Sequence, residues 1–311
     1  MLHQSSGQWR LGLMLALVTA ACWATLPVAL KLSLNALDAY TLTWFRFSFA
    51  ALVMLVWLGF RGELAPLRRL PSRHWLWLGL ATVLLIGNYV GYVLGVQYTS
   101  PGNAQLLIQL APLLMALGGV WIFKERFVWG QWLGLAIIVA GLGLFFREQL
   151  SGAALATARY TLGSGLVLAA AFSWAAYALI QKQLLLRLRS AQILTGIYGI
   201  SAILLFPLAK PQQLLMLDGL HWSLLLYCSV NTLVAYGAFA EALAHWQASR
   251  VSTVLATTPL LCLGAVAATH ALWPAQIAPE HVGWLGLFGA LLVVTGSALS
   301  SLLGQSPRPK P

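Results

Sequence analysis

Long apolar runs separated by short polar gaps dominate this chain. A helix that spans a bilayer needs about 20 mostly apolar residues. At that length ten runs stand out, at roughly 11–31, 39–60, 75–97, 101–123, 129–146, 161–182, 191–209, 221–243, 249–272 and 283–303. Backbone polar groups in hydrocarbon must be bonded within the segment, so each run predicts a helix. The longest gap, 147–160, is read as an outside linker, and residues 304–311, ending in SPRPKP, as a disordered cytoplasmic tail.

Composition sharpens this picture. Hydrophobic residues are 60% of the chain, charged residues 8%, and mean hydropathy is +0.81. A soluble domain carries about a quarter charged residues, so the pattern predicts an all-α polytopic membrane protein. The net charge of +11 would suit nucleic acid, but the basic residues sit in the gaps between apolar runs. With the N-terminus inside, thirteen Lys and Arg fall on the inner side and four (Lys31, Arg147, Arg159, Lys210) on the outer side. That bias predicts cytoplasmic N- and C-termini. Cys22, Cys228 and Cys262 lie within apolar runs and show no disulfide or metal spacing. The first run is read as an uncleaved helix, because it continues to Leu30 and nine more follow.

The chain also repeats itself. CWATLPVALK at Cys22–Lys31 returns as SWAAYALIQK at Ser173–Lys182, an offset of 151. His74, Tyr89 and Pro112 return as His221, Tyr236 and Pro259, offset by 147. Glu125, Gly134 and Gly141 return as Glu280, Gly289 and Gly296, offset by 155, which implies eight extra residues near Leu272–Pro279. Residues 1–146 and 161–303 therefore read as two copies of a five-helix unit. Five is odd, so the second copy enters the membrane from the opposite side, as an inverted repeat.

These motifs, in this order, resemble the drug/metabolite transporter superfamily, EamA family. The resemblance rests on the two tryptophan-containing openings, on Arg46 in TLTWFRFSFAAL, and on NAQLLIQLAPLLMALGGVWIFKERFVWGQWLGLAIIVAG at Asn103–Gly141. Its second copy reads SRVSTVLATTPLLCLGAVA and PEHVGWLGLFGALLVVTG. The chain departs from the pattern at Ile197, which stands where Arg46 would map, and at the insertion before Glu280. The resemblance implies a secondary transporter of a bacterial inner membrane that exports small metabolites, often amino acids.

The candidate site residues are polar or aromatic side chains in helices expected to meet between the repeats. They are Trp23 and Thr25, Asn88, Tyr89 and Tyr92, Gln105 and Gln109, Trp174 and Tyr177, Asn231 and Tyr236, and Thr257. Asn103, Gln181, Ser252, Thr253 and Thr258 extend the set. Uncharged hydrogen-bonding groups suit a cavity that takes a small polar solute and releases it, though each could equally bond helix to helix. Arg46 is either the partner of an anionic substrate group or a structural cation. Glu241 is either a carboxylate that titrates during transport or half of an interfacial ion pair with Arg250 or Lys182. Glu125 and Glu280 are read as charges at the heads of helices five and ten. Pro27, Pro112 and Pro259 predict kinks. Gly87, Gly91, Gly95, Gly130 and Gly134 predict close helix packing.

No GxxxxGK[ST] loop is present, so ATP is not the direct energy source. The expected partners are a small-molecule substrate, membrane lipid and a coupled proton or other ion, with no nucleic acid, cofactor or metal; the expected state is a monomer or homodimer. Export of drug-like cationic or aromatic compounds is an alternative. A channel needs a ring of like groups, usually from an oligomer. An enzyme needs placed acids, bases or ligands, and the six histidines form no HxxxH or HExxH.

Overall fold

The computed structural model describes residues 8–123, 128–151, 158–246, 251, 254–280 and 282–303. The helices in chain order are α1 (Trp9–Ser33), α2 (Ala39–Phe60), α3 (Ala65–Arg68), α4 (Ser72–Tyr98), α5 (Pro101–Leu107), α6 (Leu110–Phe123), α7 (Trp129–Ser151), α8 (Ala158–Leu184), α9 (Ser190–Leu205), α10 (Gly219–His245), α11 (Thr258–Leu272) and α12 (Trp284–Leu303). No strand occurs among the described residues. Six helices are long and apolar enough to cross a membrane, and three more apolar helices are shorter. Their outer faces carry large exposed hydrophobics such as Leu76, Ile203 and Trp284, as lipid contact requires.

Local chemistry sets the helix ends. Asp38 accepts from the Tyr40 and Thr41 amides and starts α2. Asp218 accepts from the His221 amide and starts α10. Ser100 accepts from the Asn103 amide, with Pro101 at the first helical position of α5. The linker expected at 147–160 is helical at both ends, because α7 runs on to Ser151 and α8 begins at Ala158. Residues 152–157 and the tail at 304–311 lie outside the described residues, as do Glu125, Arg250, Ser252 and Thr253.

The fourth expected span is interrupted: a turn at Ile108–Gln109 separates α5 from α6, just before Pro112. The ninth has a matching turn at Ala256–Thr257, just before Pro259. Proline has no N–H, so the carbonyl four residues back loses its helical partner. At Pro259 the orphan is Leu255 O, and the Thr258 hydroxyl donates to it at 2.5 Å. At Pro112 it is Ile108 O, which accepts from the Ala111 amide at 2.9 Å. Pro27, buried within α1, leaves that helix unbroken.

The helices pair as if the two halves were exchanged. The main partners are α1 with α10, α4 with α8, α2 with α9, α7 with α12, α6 with α8, and α1 with α11. Exchanging the halves maps the α1–α10 contact onto α4–α8 and α6–α8 onto α1–α11, and the α2–α9 and α7–α12 pairs onto themselves. The α7–α12 crossing follows this to the atom. A Cβ on Gly134 would lie 2.5 Å from Gly296 O, and one on Gly296 would lie 2.7 Å from Gly134 O. Gly141 and Gly289 stand in the same mutual relation, at 2.6 Å each way. Only glycine permits backbones this close. The stripe Gly87, Gly91 and Gly95 on α4 packs likewise against α8.

Candidate functional site

Six helices bring charged and aromatic side chains together at the centre. Arg46 on α2 is 3% exposed. Its Nε and Nη2 donate to the Thr232 hydroxyl on α10 at 3.3 and 3.1 Å, and that hydroxyl donates to Cys228 O. The guanidinium lies over the Tyr89 ring, 5.0 Å from its centroid, a cation–π contact in a desolvated setting. No carboxylate among the described residues lies within ion-pair distance of Arg46. A buried cation without a protein anion is suited to attract one from a ligand.

Aromatic rings surround it. Phe47 packs against Tyr89 at 4.6 Å and stacks on Tyr198 at 5.6 Å. Tyr89 neighbours Tyr236 and Tyr198, and Trp174 lies beside Tyr236. Trp23 meets Tyr236 edge-on at 5.8 Å. Tyr177 is buried in the same cluster. Repeat mates therefore touch across the centre: Tyr89 with Tyr236, and Phe47 with Tyr198, which stand 147 and 151 residues apart. The exception is Arg46, whose mate is the buried Ile197.

The other expected residues take different places. Tyr92 donates to Gln105 Oε1 at 2.7 Å, and Asn103 donates to the Ser164 hydroxyl at 3.2 Å. These form a second polar patch where α5 enters the bundle. The Asn103 side-chain oxygen is buried and has no partner. Asn88 and Asn231 are helix staples: their amides donate to Ala170 O and Cys22 O at 2.9 and 2.8 Å. Gln109 and Thr257 sit in the two helix breaks. Thr25 does not join the central set. It lies on the exposed face of α1, bonded to the Tyr227 hydroxyl on α10. Glu241 is also off-centre, 68% exposed, with His245 3.7 Å away on the next turn.

One end of the bundle is tied by charges. Lys31 donates to Val96 O, Gln97 O and Thr99 O at 2.8, 2.9 and 2.8 Å, covering the carbonyl end of α4. Glu280 does not cap its own helix, which begins four residues later. It reaches across to α5, accepting from the Gly102 amide at 2.8 Å. The insertion before it tucks the buried Ile277 against Val28 and Val266. Burial pushes the Glu280 carboxyl above its ordinary range, opposed by the Gly102 amide, the Ser100 hydroxyl and Lys31.

Reading the residues one at a time missed Phe47, Tyr198, Thr232 and Ser164. The repeat offset carried the signal for two of them, because adding 151 to Phe47 lands on Tyr198. Among the described residues no three His, Cys, Asp or Glu side chains gather as a metal site would need.

Known proteins fit this arrangement. The model of the EamA-like transporter family matches residues 10–147 and again 161–302. The chain is 38% identical over 295 residues to the "Uncharacterized inner membrane transporter YhbE" of Escherichia coli (strain K12), covering 94% of this chain and 91% of that one. It is 35% identical over 292 residues to an "Uncharacterized transporter" of Haemophilus influenzae, covering 94% and 95%. A "Probable amino-acid metabolite efflux pump" of Escherichia coli (strain K12) is 24% identical over 297 residues, covering 91% and 92%. A solved crystal structure shares the fold with a TM-score of 0.64 at 18% identity, over 96% of this chain and 99% of that one. With its family match spanning both halves, this integral membrane protein is a transporter rather than an enzyme, and it belongs to the EamA-like transporter family.

Proposed function

We propose that this protein is an inner-membrane exporter of amino acids or related small metabolites, working by alternating access between two inverted five-helix repeats. The reading takes ten spans with both termini in the cytoplasm, the split fourth and ninth runs each counting as one. The observation that carries it is the central cluster, where Arg46 meets the rings contributed by both halves. An amino acid offers a carboxylate for Arg46 and a side chain for the rings. The symmetric helix breaks before Pro112 and Pro259 support a site beside them, as in other transporters built from repeats. The names of two distant relatives point the same way, one an amino-acid metabolite efflux pump and the other a "Probable terminal-alkyne amino-acid exporter" from Streptantibioticus cattleyicolor.

Alternating access needs one side sealed while the other opens. The Lys31 and Glu280 contacts support a seal on the outer side.

A second reading, export of aromatic drug-like compounds, is favoured by the same rings, but Arg46 counts against a cationic cargo.

Counterflow in proteoliposomes decides between them. The vesicles are loaded with amino acids, purines, polyamines and cationic dyes, and exchange is scored by mass spectrometry. Saturable exchange of amino acids is expected. Exchange of dyes alone would favour the second reading, and exchange of nothing in the panel would contradict both.

A further inference from the structure

Two loops on the side assigned to the cytoplasm meet away from the central site. One follows α2, and the other joins α8 to α9. Gln192 Nε2 donates to Glu63 O at 2.8 Å, and Arg189 Nη1 pairs with Glu63 Oε1 at 3.1 Å. Gly62, with φ +67°, gives the first loop its turn. Between the loops lies a pocket of about 480 Å³, whose walls include Pro66, Leu186, Arg187 and Arg189.

The charge here is one-sided. Arg61, Arg68, Arg69, Arg73, Arg187 and Arg189 lie in these two loops or at the start of α4, against the single Glu63. Glu63 is already paired with Arg189. Arg187 is exposed, and no carboxylate among the described residues is within ion-pair distance of it. A guanidinium presents a planar fork of donors that matches phosphate oxygens. Leu186 in the pocket wall is 77% exposed, and Phe60, next to Arg61 in the chain, is 90% exposed. A soluble anion has no use for those two side chains, whereas a lipid has both a phosphate and acyl chains.

We propose that this pocket binds the phosphate of an anionic glycerophospholipid, with its acyl chains along Phe60 and Leu186. Basic pockets between helices on the cytoplasmic side take such head groups. The lipid would tie a loop of the first half to a loop of the second, beside the α2–α9 contact, and so would stabilise the docked arrangement of the halves there.

The test uses the full-length protein in detergent. Lipid binding is read by native mass spectrometry, and thermal stability is measured with phosphatidylglycerol, phosphatidylcholine or inorganic phosphate added. Phosphatidylglycerol is expected to bind and raise the melting temperature, while phosphatidylcholine and phosphate do not. The double variant Arg187→Gln/Arg189→Gln is expected to bind phosphatidylglycerol roughly thirtyfold more weakly. Arg187→Gln alone, which leaves the Glu63 pair intact, is expected to weaken it about fivefold. Arg10→Gln, a basic change elsewhere, is expected to leave it unchanged. Equal stabilisation by inorganic phosphate would make this a free-anion site and overturn the proposal. Undiminished preference for phosphatidylglycerol in the double variant would overturn it too.

Discussion

The α7–α12 crossing and the central cluster sit on the same pseudo-symmetry, and they use it differently. At the crossing, four glycines obey the exchange of halves to within about 0.2 Å, with Gly134 seated on Gly296 and Gly141 on Gly289. At the centre, the rings obey it as well, with Tyr89 against Tyr236 and Phe47 against Tyr198. The charge does not, because Arg46 faces no second arginine and Ile197 takes that place. On the proposed reading, the departure from the repeat at Arg46 marks the substrate's anionic end, while the repeated rings flank it. The proposed amino-acid substrate offers one carboxylate to that cation, so a site on the axis would need one arginine rather than two.

The largest effect is expected from forcing symmetry on the centre. Ile197→Arg would bury a second guanidinium beside the first without an anion. Unpaired buried charge costs about 3–5 kcal/mol, so the variant should be lost from the membrane fraction or aggregate in detergent, as gel filtration would show. Breaking the symmetric crossing comes next. Gly141→Leu would drive a side chain into Gly289 O, and overpacking of this kind costs about 1–3 kcal/mol or more. Melting in detergent should fall clearly for Gly141→Leu and stay within about 0.5 kcal/mol for Gly143→Ala, because nothing lies within 4 Å of a Cβ there.

A smaller effect is expected where Glu280 ties the end of the bundle. Its pKa is raised, with burial the main cause. A carboxyl raised on folding holds its proton more tightly in the native state. Its contribution is therefore fullest below the ordinary carboxylate pKa and is lost as pH rises through the raised value. Wild-type melting should decline over that window, and Glu280→Gln should flatten the decline. The smallest effect is expected at the exposed Arg189–Glu63 pair, where Glu63→Gln should change stability by less than about 1 kcal/mol in a melting experiment.

Much of the helical pattern was legible in the sequence, because apolar runs of spanning length leave the backbone no alternative to helix. The prolines marked both helix breaks, and the repeat offset pointed to Tyr236 from Tyr89. What the sequence withheld was rotation about each helix axis. Thr25 and Trp23 are two residues apart on α1, about 200° apart around a helix, and only Trp23 turns inward. The same holds for Glu280: an acid near a helix start suggested a cap, but not that the capped helix was α5. Glu241 gave no sign in the sequence of being exposed, since that depends on which face α10 turns to α1.

The most direct test of the account is counterflow of an amino acid substrate by Arg46→Gln protein that remains monodisperse and melts near the wild-type temperature. A hydrogen bond to a charged group contributes about 1.5–3 kcal/mol. The account predicts that exchange falls by about tenfold or more, with a smaller loss for the decarboxylated amine than for the amino acid. Wild-type exchange in this variant would contradict it, and Arg46 would then be a structural cation held by Thr232 and Tyr89.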